Sequence, residues 1–424
     1  MANKVTSPKE GKLNDLTFLR IAELLGFKTK ELHSPAFYNG HSAMLQGQAY
    51  PAAHALAPRV YDHFARHLAD ARGRSRGPLA SLPDVGAIGA IMEAAFWASL
   101  RREENYIPRI SLAFVSPEEA EEPLKLRQAL PLDPAALTRV APAVAPAGIH
   151  LAVARNGNQE LAVWGTVRAL PRLCFVLEVA APGLLVVKHQ RGGVLGKFVN
   201  VAVIEGDQIK VIDERASSLP DCPPLLTSLL GFDAPMSWVD RVNVLVQLAV
   251  AMRGHGRGGS MLIVPSGSDE WRDSIVQPIS YETLPPFTEL ARLSKEQPDD
   301  ARRKVWREAL DEAVNAVASL TAVDGATILT ADYDLLAFGA KIARKKGSPQ
   351  VEQVSVTEPI EGGQPAVVNP SYLGGTRHLS ASQFVHDQRS ALALVASQDG
   401  RFTVFAWSPC EDMVHAHRVE TLLL

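Results

Sequence analysis

Residues 374–378 read GGTRH, a stretch whose backbone and side chains are suited to holding a phosphate. Glycines let the backbone bend so that several N–H groups point at one anion. Arg377 adds a guanidinium that can bind a phosphate through two parallel hydrogen bonds. Gly375, Thr376, Arg377 and His378 are therefore candidate phosphate ligands. The alternative interpretation is an exposed loop that leads into a helix with a basic start.

A second stretch, VDGATIL at 323–329, places an acidic residue at the start of an apolar strand. Gly325 and Ala326 are small enough to let a flat base or a ribose lie close to the backbone. Asp324 beside them could bind a metal or accept a proton from a ribose hydroxyl. Taken alone, the tripeptide favours an ordinary turn between a helix and a strand, because Asp-Gly is common turn chemistry.

The bulk composition is that of an ordinary globular chain. Its 424 residues are 46% hydrophobic and 21% charged, with a formal net charge of −3 at pH 7. At roughly 150 residues per domain, this length predicts two or three domains. The small net charge gives no reason to expect a nucleic acid or an anionic membrane as a partner. Apolar runs fall short of the ~18 residues of a membrane span, and we expect a cytoplasmic protein.

Apolar periodicity divides the chain into three regions. We predict a mostly helical region over 1–145, a β-rich segment over 146–235 and a third domain over 236–424 that contains both candidate stretches. In the third domain, helices alternate with apolar strands. This alternation is typical of the α/β class, with a mixed, twisted sheet flanked by helices. Two hairpins are predicted there, over ATILTADYDLLAFGAKI and over SALALVASQDGRFTVFAW.

The two stretches, in this order, resemble the diadenylate cyclase domain, the catalytic domain of the DNA integrity scanning protein and its relatives. The surrounding parts are similar too: a helix before RGGSMLIVP, a helix before DGATIL, then GTRH and the strand ALALVAS. The likeness covers about residues 240–408, which is less than half of the chain.

The resemblance implies a homodimer that holds two ATP molecules face to face and joins them into cyclic di-AMP, releasing pyrophosphate. Asp324 would lie near the reacting 3′-hydroxyl and a Mg²⁺ or Mn²⁺ ion. The other ligand-binding positions implied for the nucleoside and the phosphates are Gly325, Ala326, Gly375, Thr376, Arg377, His378 and Ser397.

Two positions depart from the pattern of that family. The family reads Arg-His-Arg where this chain has Leu379 in the third place. The missing charge-assisted phosphate contact is worth roughly 1.5–3 kcal/mol. The family also reads Ser-Glu where this chain has Ser397 and Gln398. Asp399 follows, and it can serve a metal only if a turn begins there, since successive strand residues point to opposite faces.

Other patterns are less informative. RGHGRGG at 253–259 formally contains GxGxxG, but it follows a helix and precedes a strand, the reverse of the dinucleotide-binding order. His63 and His67 have a spacing that can hold a metal, although two histidines on a solvated helix face are the simpler interpretation. The three cysteines are far apart and include no CxxC, which argues against a disulfide framework.

Three functions remain open at this point. The first is an enzyme that condenses two ATP molecules to cyclic di-AMP. The second is a non-catalytic sensor that binds ATP or a cyclic dinucleotide in the same pocket, favoured by Leu379 and Gln398. The third is a purely structural scaffold.

Overall fold

The computed structural model describes residues 49–72, 78–102, 106–190, 198–213, 244–296 and 302–424. The chain divides into two compact units, Met1–Val211 and Ile212–Leu424. Each unit contains one mixed sheet, so the mixed α/β class expected from the sequence is confirmed. Within the described ranges there are seven α-helices, and none is long and apolar enough to cross a membrane.

Three helices of the first unit lie in the described ranges: α1 (Pro51–Arg72), α2 (Val85–Ser99) and α3 (Pro134–Val140). Two of them begin at aspartates that act as N-caps. Asp84 accepts a hydrogen bond from Ala87 N–H, and Asp133 accepts one from Ala136 N–H, both at 2.8 Å. These bonds satisfy backbone donors that the first helical turn leaves without a partner.

The first unit has an eight-stranded sheet in the order β2-β4-β3-β1-β5-β6-β7-β8. Its strands are β1 (Ser111–Phe114), β2 (Leu124–Pro131), β3 (His150–Arg155), β4 (Leu161–Val167), β5 (Phe175–Ala181), β6 (Leu184–Gln190), β7 (Phe198–Glu205) and β8 (Gln208–Val211). β1 and β3 are parallel, and the other neighbours are antiparallel. One face of this sheet packs with the three helices in a single hydrophobic core.

The predicted division at residue 145 falls within this sheet. β1 and β2 precede that residue, and they pair with β3 and β4, which follow it. β2 also occupies part of a stretch that is rich in proline, alanine and charge, where sequence patterning predicts only irregular and short helical pieces. It is a sheet-edge strand, a position that tolerates such a composition.

His63 and His67 were expected on a solvated helix face, and this is wrong for His63. Only 4% of its surface is exposed, because it lies on the buried stripe of α1 with Val60 and Phe64. Its ring centroid is 4.4 Å from that of His67 and 5.7 Å from that of His189 on β6.

The second unit has a nine-stranded sheet in the order β10-β12-β11-β9-β15-β16-β17-β13-β14. Its strands are β9 (Gly259–Val264), β10 (Tyr281–Phe287), β11 (Ala326–Thr330), β12 (Leu335–Ala340), β13 (Val354–Thr357), β14 (Ala366–Val368), β15 (Leu392–Ala396), β16 (Phe402–Ser408) and β17 (Met413–Arg418). Both predicted hairpins are present, β11 with β12 and β15 with β16.

The remaining helices are α4 (Val244–Gly254), α5 (Glu289–Lys295), α6 (Arg303–Leu320) and α7 (Thr376–Asp387). Residues of α4, α5 and α6 share one hydrophobic cluster on the sheet, and residues of α7 belong to another. This helix-covered sheet is what positions the two candidate stretches.

Candidate functional site

Sheet register brings the candidate stretches to one edge of the second sheet. β9 and β11 are parallel, with Ala326 opposite Ser260, so the residues before both strands lie at the same edge. β15 is antiparallel to β9, with Ala396 opposite Gly259, so the residues that follow β15 reach that edge as well. The edge therefore collects Asp324 and Ser397, which are far apart in sequence.

Arg377 extends from the start of α7 to this edge. Its Nη1 atom is 2.9 Å from the position that a Cβ on Gly258 would occupy. The Ala396 carbonyl oxygen and the Gln398 Cγ atom are 3.1 and 3.3 Å from the same position. Gly258 has a φ of +69°, a left-handed conformation that favours glycine. The guanidinium is thus seated against a glycine loop and the end of β15.

Asp324 forms an ion pair with Lys341, which follows β12. The Lys341 ammonium donates a hydrogen bond to Asp324 Oδ2, and 90% of the Asp324 side chain is exposed. The hydrogen bond and charge of Lys341 lower the pKa of Asp324, and the charge of Arg377 lowers it further. Asp324 is therefore an ionised carboxylate at neutral pH that lies in the field of two cations.

Gly325 has a structural reason to be glycine. Its φ is +118°, and a Cβ there would lie 2.4 Å from the Gly339 carbonyl carbon. Gly339 in turn lies against the Tyr281 ring, which stacks on Phe338 with ring centroids 4.9 Å apart. A side chain at position 325 would therefore collide with the backbone of β12, which gives Gly325 a structural reason that is independent of any ligand. Ala326 begins β11 and is buried.

The start of α7 has backbone donors that a phosphate could use. Gly375 is the N-cap residue of α7, so no side chain caps the first N–H groups of this helix. Thr376, which follows it, is exposed. No neighbouring atom lies within 4 Å of the position of a Cβ on Gly375. A helix N-terminus with open space in front of it is suited to an anion.

His378 differs from its neighbours because it is buried. Its exposed fraction is 3%, and Gly374 makes room for its ring: a Cβ there would lie 2.5 Å from His378 Nδ1. Its Nε2 atom is buried and has no hydrogen-bond partner within the described ranges.

Charges at the site also act on His378. Burial lowers its pKa, the charge of Asp399 opposes that shift, and Arg401, Arg377 and Arg418 add to it. We therefore take the His378 imidazole as neutral at pH 7. It can donate or accept one hydrogen bond, but it adds no positive charge for a phosphate.

A turn does begin after Ser397. Ser397 N–H donates to the Arg401 carbonyl at 2.9 Å, and Gly400 N–H donates back to the Ser397 carbonyl at 3.2 Å. Asp399 lies in this turn and pairs with Arg401 at 3.4 Å. The Gln398 amide donates to the Arg257 carbonyl at 3.3 Å. The turn brings Asp399 to the site, where its carboxylate is already paired with the Arg401 guanidinium.

The metal expected from the resemblance fits these residues poorly. Asp324 is paired with Lys341 and Asp399 with Arg401. Across the described parts of the chain, no group of three or more His, Cys, Asp or Glu side chains could hold a metal ion. A magnesium ion needs only one or two carboxylates when phosphates supply its other ligands. Asp324 could be such a ligand through its Oδ1 atom, with the Lys341 ammonium at Oδ2 competing for the same negative charge.

Three parts of this site were not identified in the sequence: Lys341, Gly258 and Tyr281. The sequence does contain a signal for Gly258, because the glycine-rich run RGHGRGG is typical of a loop with positive φ angles. Gly258 adopts such an angle in the structure. Nothing local marks Lys341 or Tyr281, because their roles depend on the pairing of β12 with β11 and β10.

Comparisons with known proteins give two findings and one absence. A family model described as "Probable sensor domain DACNV" matches residues 77–168, which lie in the first unit. Among solved structures, the chain is similar to a double mutant of DacA from Staphylococcus aureus. That similarity has 13% identity and a TM-score of 0.22, and it covers 41% of this chain and 83% of that chain. No curated protein matches.

The match to DACNV lies at residues 77–168, outside the 240–408 stretch that carries the resemblance, and it supports a sensor-type domain in the first unit. Neither comparison points to the DNA integrity scanning protein in particular. The first unit of this chain therefore contains a segment similar to a probable sensor domain.

Proposed function

We propose that the second unit is a nucleotide-binding sensor domain of diadenylate-cyclase type, which binds ATP or cyclic di-AMP without condensing ATP. The observation that carries this proposal is the seating of Arg377 against Gly258 and the end of β15, in the charge field of Asp324. This arrangement keeps a phosphate-binding cation at the edge where the two candidate stretches meet.

Phosphate binding is supported by the start of α7. The open side of Gly375, the exposed Thr376 and the Arg377 guanidinium are neighbours at one helix N-terminus. Ser397 lies at the end of β15, next to the Ala396 carbonyl that borders the guanidinium. In this proposal these groups hold the phosphates of the nucleotide.

The absence of condensation is supported by the pairing of the carboxylates. Asp324 would have to act on a 3′-hydroxyl and a metal, yet Lys341 occupies its Oδ2 atom. Leu379 replaces a cation, and 38% of its surface is exposed beside the same helix start. In this proposal, Mg²⁺ or Mn²⁺ arrives with the phosphates of the nucleotide and is not held by a cage of protein side chains.

The competing function is condensation of two ATP molecules in a homodimer, with Asp324 as the catalytic residue and Asp324 and Asp399 at the metal. Retention of both stretches at one edge favours it, because binding alone does not require Asp324. In that case the metal would bind Asp324 in competition with the Lys341 ammonium when ATP arrives.

One experiment separates the two functions. The full chain is incubated with ATP and Mg²⁺, Mn²⁺ or Co²⁺, products are resolved by mass spectrometry, and ATP and cyclic di-AMP affinities are measured by calorimetry. We expect no cyclic di-AMP, together with nucleotide binding that Arg377→Ala weakens by at least tenfold. Product that disappears in Asp324→Asn would establish the enzyme. Absence of both binding and product would leave only a scaffold.

A further inference from the structure

The two sheets share one topology. Seven strands of the first sheet follow the order β2-β4-β3-β1-β5-β6-β7, and seven of the second follow β10-β12-β11-β9-β15-β16-β17. In each set, the strands at the third and fourth places are parallel, and all other neighbours are antiparallel. A helix precedes both β1 and β9. The first unit is therefore an internal control, because features that only the second unit has are not needed to form these strands.

Two such features lie at the edge that holds the candidate site. The connection from β4 to β5 consists of residues 168–174, whereas the connection from β12 to β15 consists of residues 341–391 and contains α7. None of residues 106–110, which lead into β1, has a positive φ, whereas Gly258 directly before β9 has a φ of +69°. The fold itself thus requires neither α7 with its Arg377 nor the glycine-rich loop before β9.

This loop contacts the candidate site through Arg257 and Gly258. Gly258 lies against the Arg377 guanidinium, and the Arg257 carbonyl accepts a hydrogen bond from the Gln398 amide at 3.3 Å. Since consecutive Cα atoms are about 3.8 Å apart, the Arg257 Cα atom lies within about 8 Å of Arg377 Nη1. An arginine side chain is long enough to bridge that distance, so both guanidiniums can contact one ligand.

His255 holds the backbone of Arg257 in place. Thr321 Oγ1 donates to the Ala318 carbonyl at 2.7 Å, so it accepts from His255 Nε2, which is 3.0 Å away. His255 Nδ1 in turn accepts from Arg257 N–H at 3.1 Å. Burial and the charge of Arg257 lower the pKa of His255, which favours the neutral ring that these two bonds require. The chain of bonds ends on Thr321, a buried residue at the C-terminus of α6.

Arg257 is a cation without a carboxylate partner. It is exposed, and among the residues that the structure describes neither Arg257 nor Arg377 forms an ion pair. The neighbouring cations Lys341 and Arg401, in contrast, are each paired with an aspartate. Two guanidiniums at this edge are therefore available to a ligand that carries several negative charges.

We propose that Arg257 is a second phosphate-binding residue of the nucleotide site, and that His255 is the positioning residue that holds it there. The inference rests on the proposed function of the second unit and deepens it. Arg377 would approach the phosphates from α7, and Arg257 would approach them from the loop before β9. Two planar guanidiniums can bind more phosphate oxygens than one.

The test is binding of ATP and of cyclic di-AMP to the full chain, measured by calorimetry with Mg²⁺ at pH 7.5. Arg257→Gln should weaken nucleotide binding by about tenfold or more, and Arg257→Lys, which keeps the charge, should weaken it less. Arg109→Gln is the matched control, because Arg109 is exposed and lies two residues before β1, as Arg257 lies two residues before β9. It should bind nucleotide as the wild type does. Neither glutamine substitution should change the Tm, since both arginines are exposed.

His255→Ala should also weaken nucleotide binding, whereas His255→Asn should restore most of it. An asparagine side chain can accept a hydrogen bond from the N–H two residues on, which here belongs to Arg257. A positioning role predicts this rescue, because asparagine brings no charge to the phosphates. Nucleotide affinity that is unchanged in His255→Ala, or equally low in His255→Asn, would exclude the positioning role.

The outcomes separate this inference from the proposed function. Unchanged affinity in Arg257→Gln, together with a loss in Arg377→Ala, would overturn the role of Arg257 and leave the proposed function intact. An equal loss in Arg109→Gln would indicate a general charge effect and would also overturn the role of Arg257. A wild-type chain that binds neither ATP nor cyclic di-AMP would overturn the proposed function and this inference with it.

Discussion

Arg377 Nη1 lies 2.9 Å from the position that a Cβ on Gly258 would occupy, so a methyl group at this position would clash with the guanidinium. This contact joins two segments that are 119 residues apart in sequence (377 − 258) and fixes the cation at the sheet edge. It also offers a way to move Arg377 without mutating it.

Gly258→Ala should weaken ATP or cyclic di-AMP binding by about tenfold or more, because the methyl group displaces the guanidinium and φ is +69°. Calorimetry measures the affinity. Gly256→Ala is the matched control: its φ is +65°, but no atom lies within 4 Å of its Cβ position. It should carry a similar backbone strain and keep its nucleotide affinity. Equal affinity loss in both variants would mean that strain, and not Arg377, is responsible.

Alanine substitutions at the adjacent residues Gly374 and Gly375 should affect different properties, the Tm in the first case and nucleotide affinity in the second. Gly374→Ala pushes its methyl group into the buried His378 ring, so we expect a lower Tm. Gly375→Ala meets open space and should lower the Tm only by the small cost of alanine at an N-cap, while weakening nucleotide binding, since the phosphate would occupy that space. Differential scanning calorimetry and binding isotherms of both variants check this. Unchanged nucleotide affinity in Gly375→Ala would place the phosphate elsewhere.

Lys341→Met should make nucleotide binding more dependent on divalent cations. Without the ammonium, the pKa of Asp324 rises toward its ordinary value, and the carboxylate is free to take a nucleotide-bound Mg²⁺. ATP affinity is measured with Mg²⁺ and with EDTA in wild type, Lys341→Met and the double variant with Asp324→Asn. We expect the Mg²⁺ effect to grow in Lys341→Met and to vanish in the double variant. If the double variant keeps it, Asp324 is not the ligand.

His417 should make the second unit sensitive to acid. Burial lowers the pKa of His417 to about 3, whereas an unfolded histidine titrates near 6.5. Below pH 6.5 the unfolded state binds one more proton, so stability falls as pH decreases, by about 2 kcal/mol at pH 5.

Urea unfolding at pH 7.5, 6.5 and 5.0 measures this effect. His417→Asn keeps a polar group near Thr357 Oγ1, which is 2.7 Å from His417 Nδ1 in the wild type. The variant should lose less stability than wild type between pH 7.5 and 5.0. A parallel loss in both proteins would show that other groups set the acid sensitivity.

The sequence pattern was sufficient to predict the central strands of the second sheet. Continuous apolar runs and the Asp-Gly turn at 399–400 identified both hairpins, because central strands are buried on both faces. It missed β10, whose sequence YETLPPF contains two prolines; an edge strand tolerates them because its outer N–H groups need no partner. β13 and β14, of four and three residues, are too short to show a period.

The residues of the candidate site were predictable only in part. Asp324 and Arg377 could be named from local chemistry, since each stands in a short stretch with glycines. The role of Gly325 could not, because only the approach of Gly339 from another strand shows why glycine is required there.

β13 and β14 continue the sheet beyond β17, so the long segment between the two stretches adds strands at the margin opposite β10. Two strands, β16 and β17, lie between β13 and β15, the strand whose end contacts Arg377. Extra residues in the connection between β13 and β14 would therefore lengthen this segment at the margin of the sheet, on the far side of β16 and β17 from β15. The exposed turn at Gly362 is the natural attachment point for a fluorescent reporter or an affinity tag on a working protein.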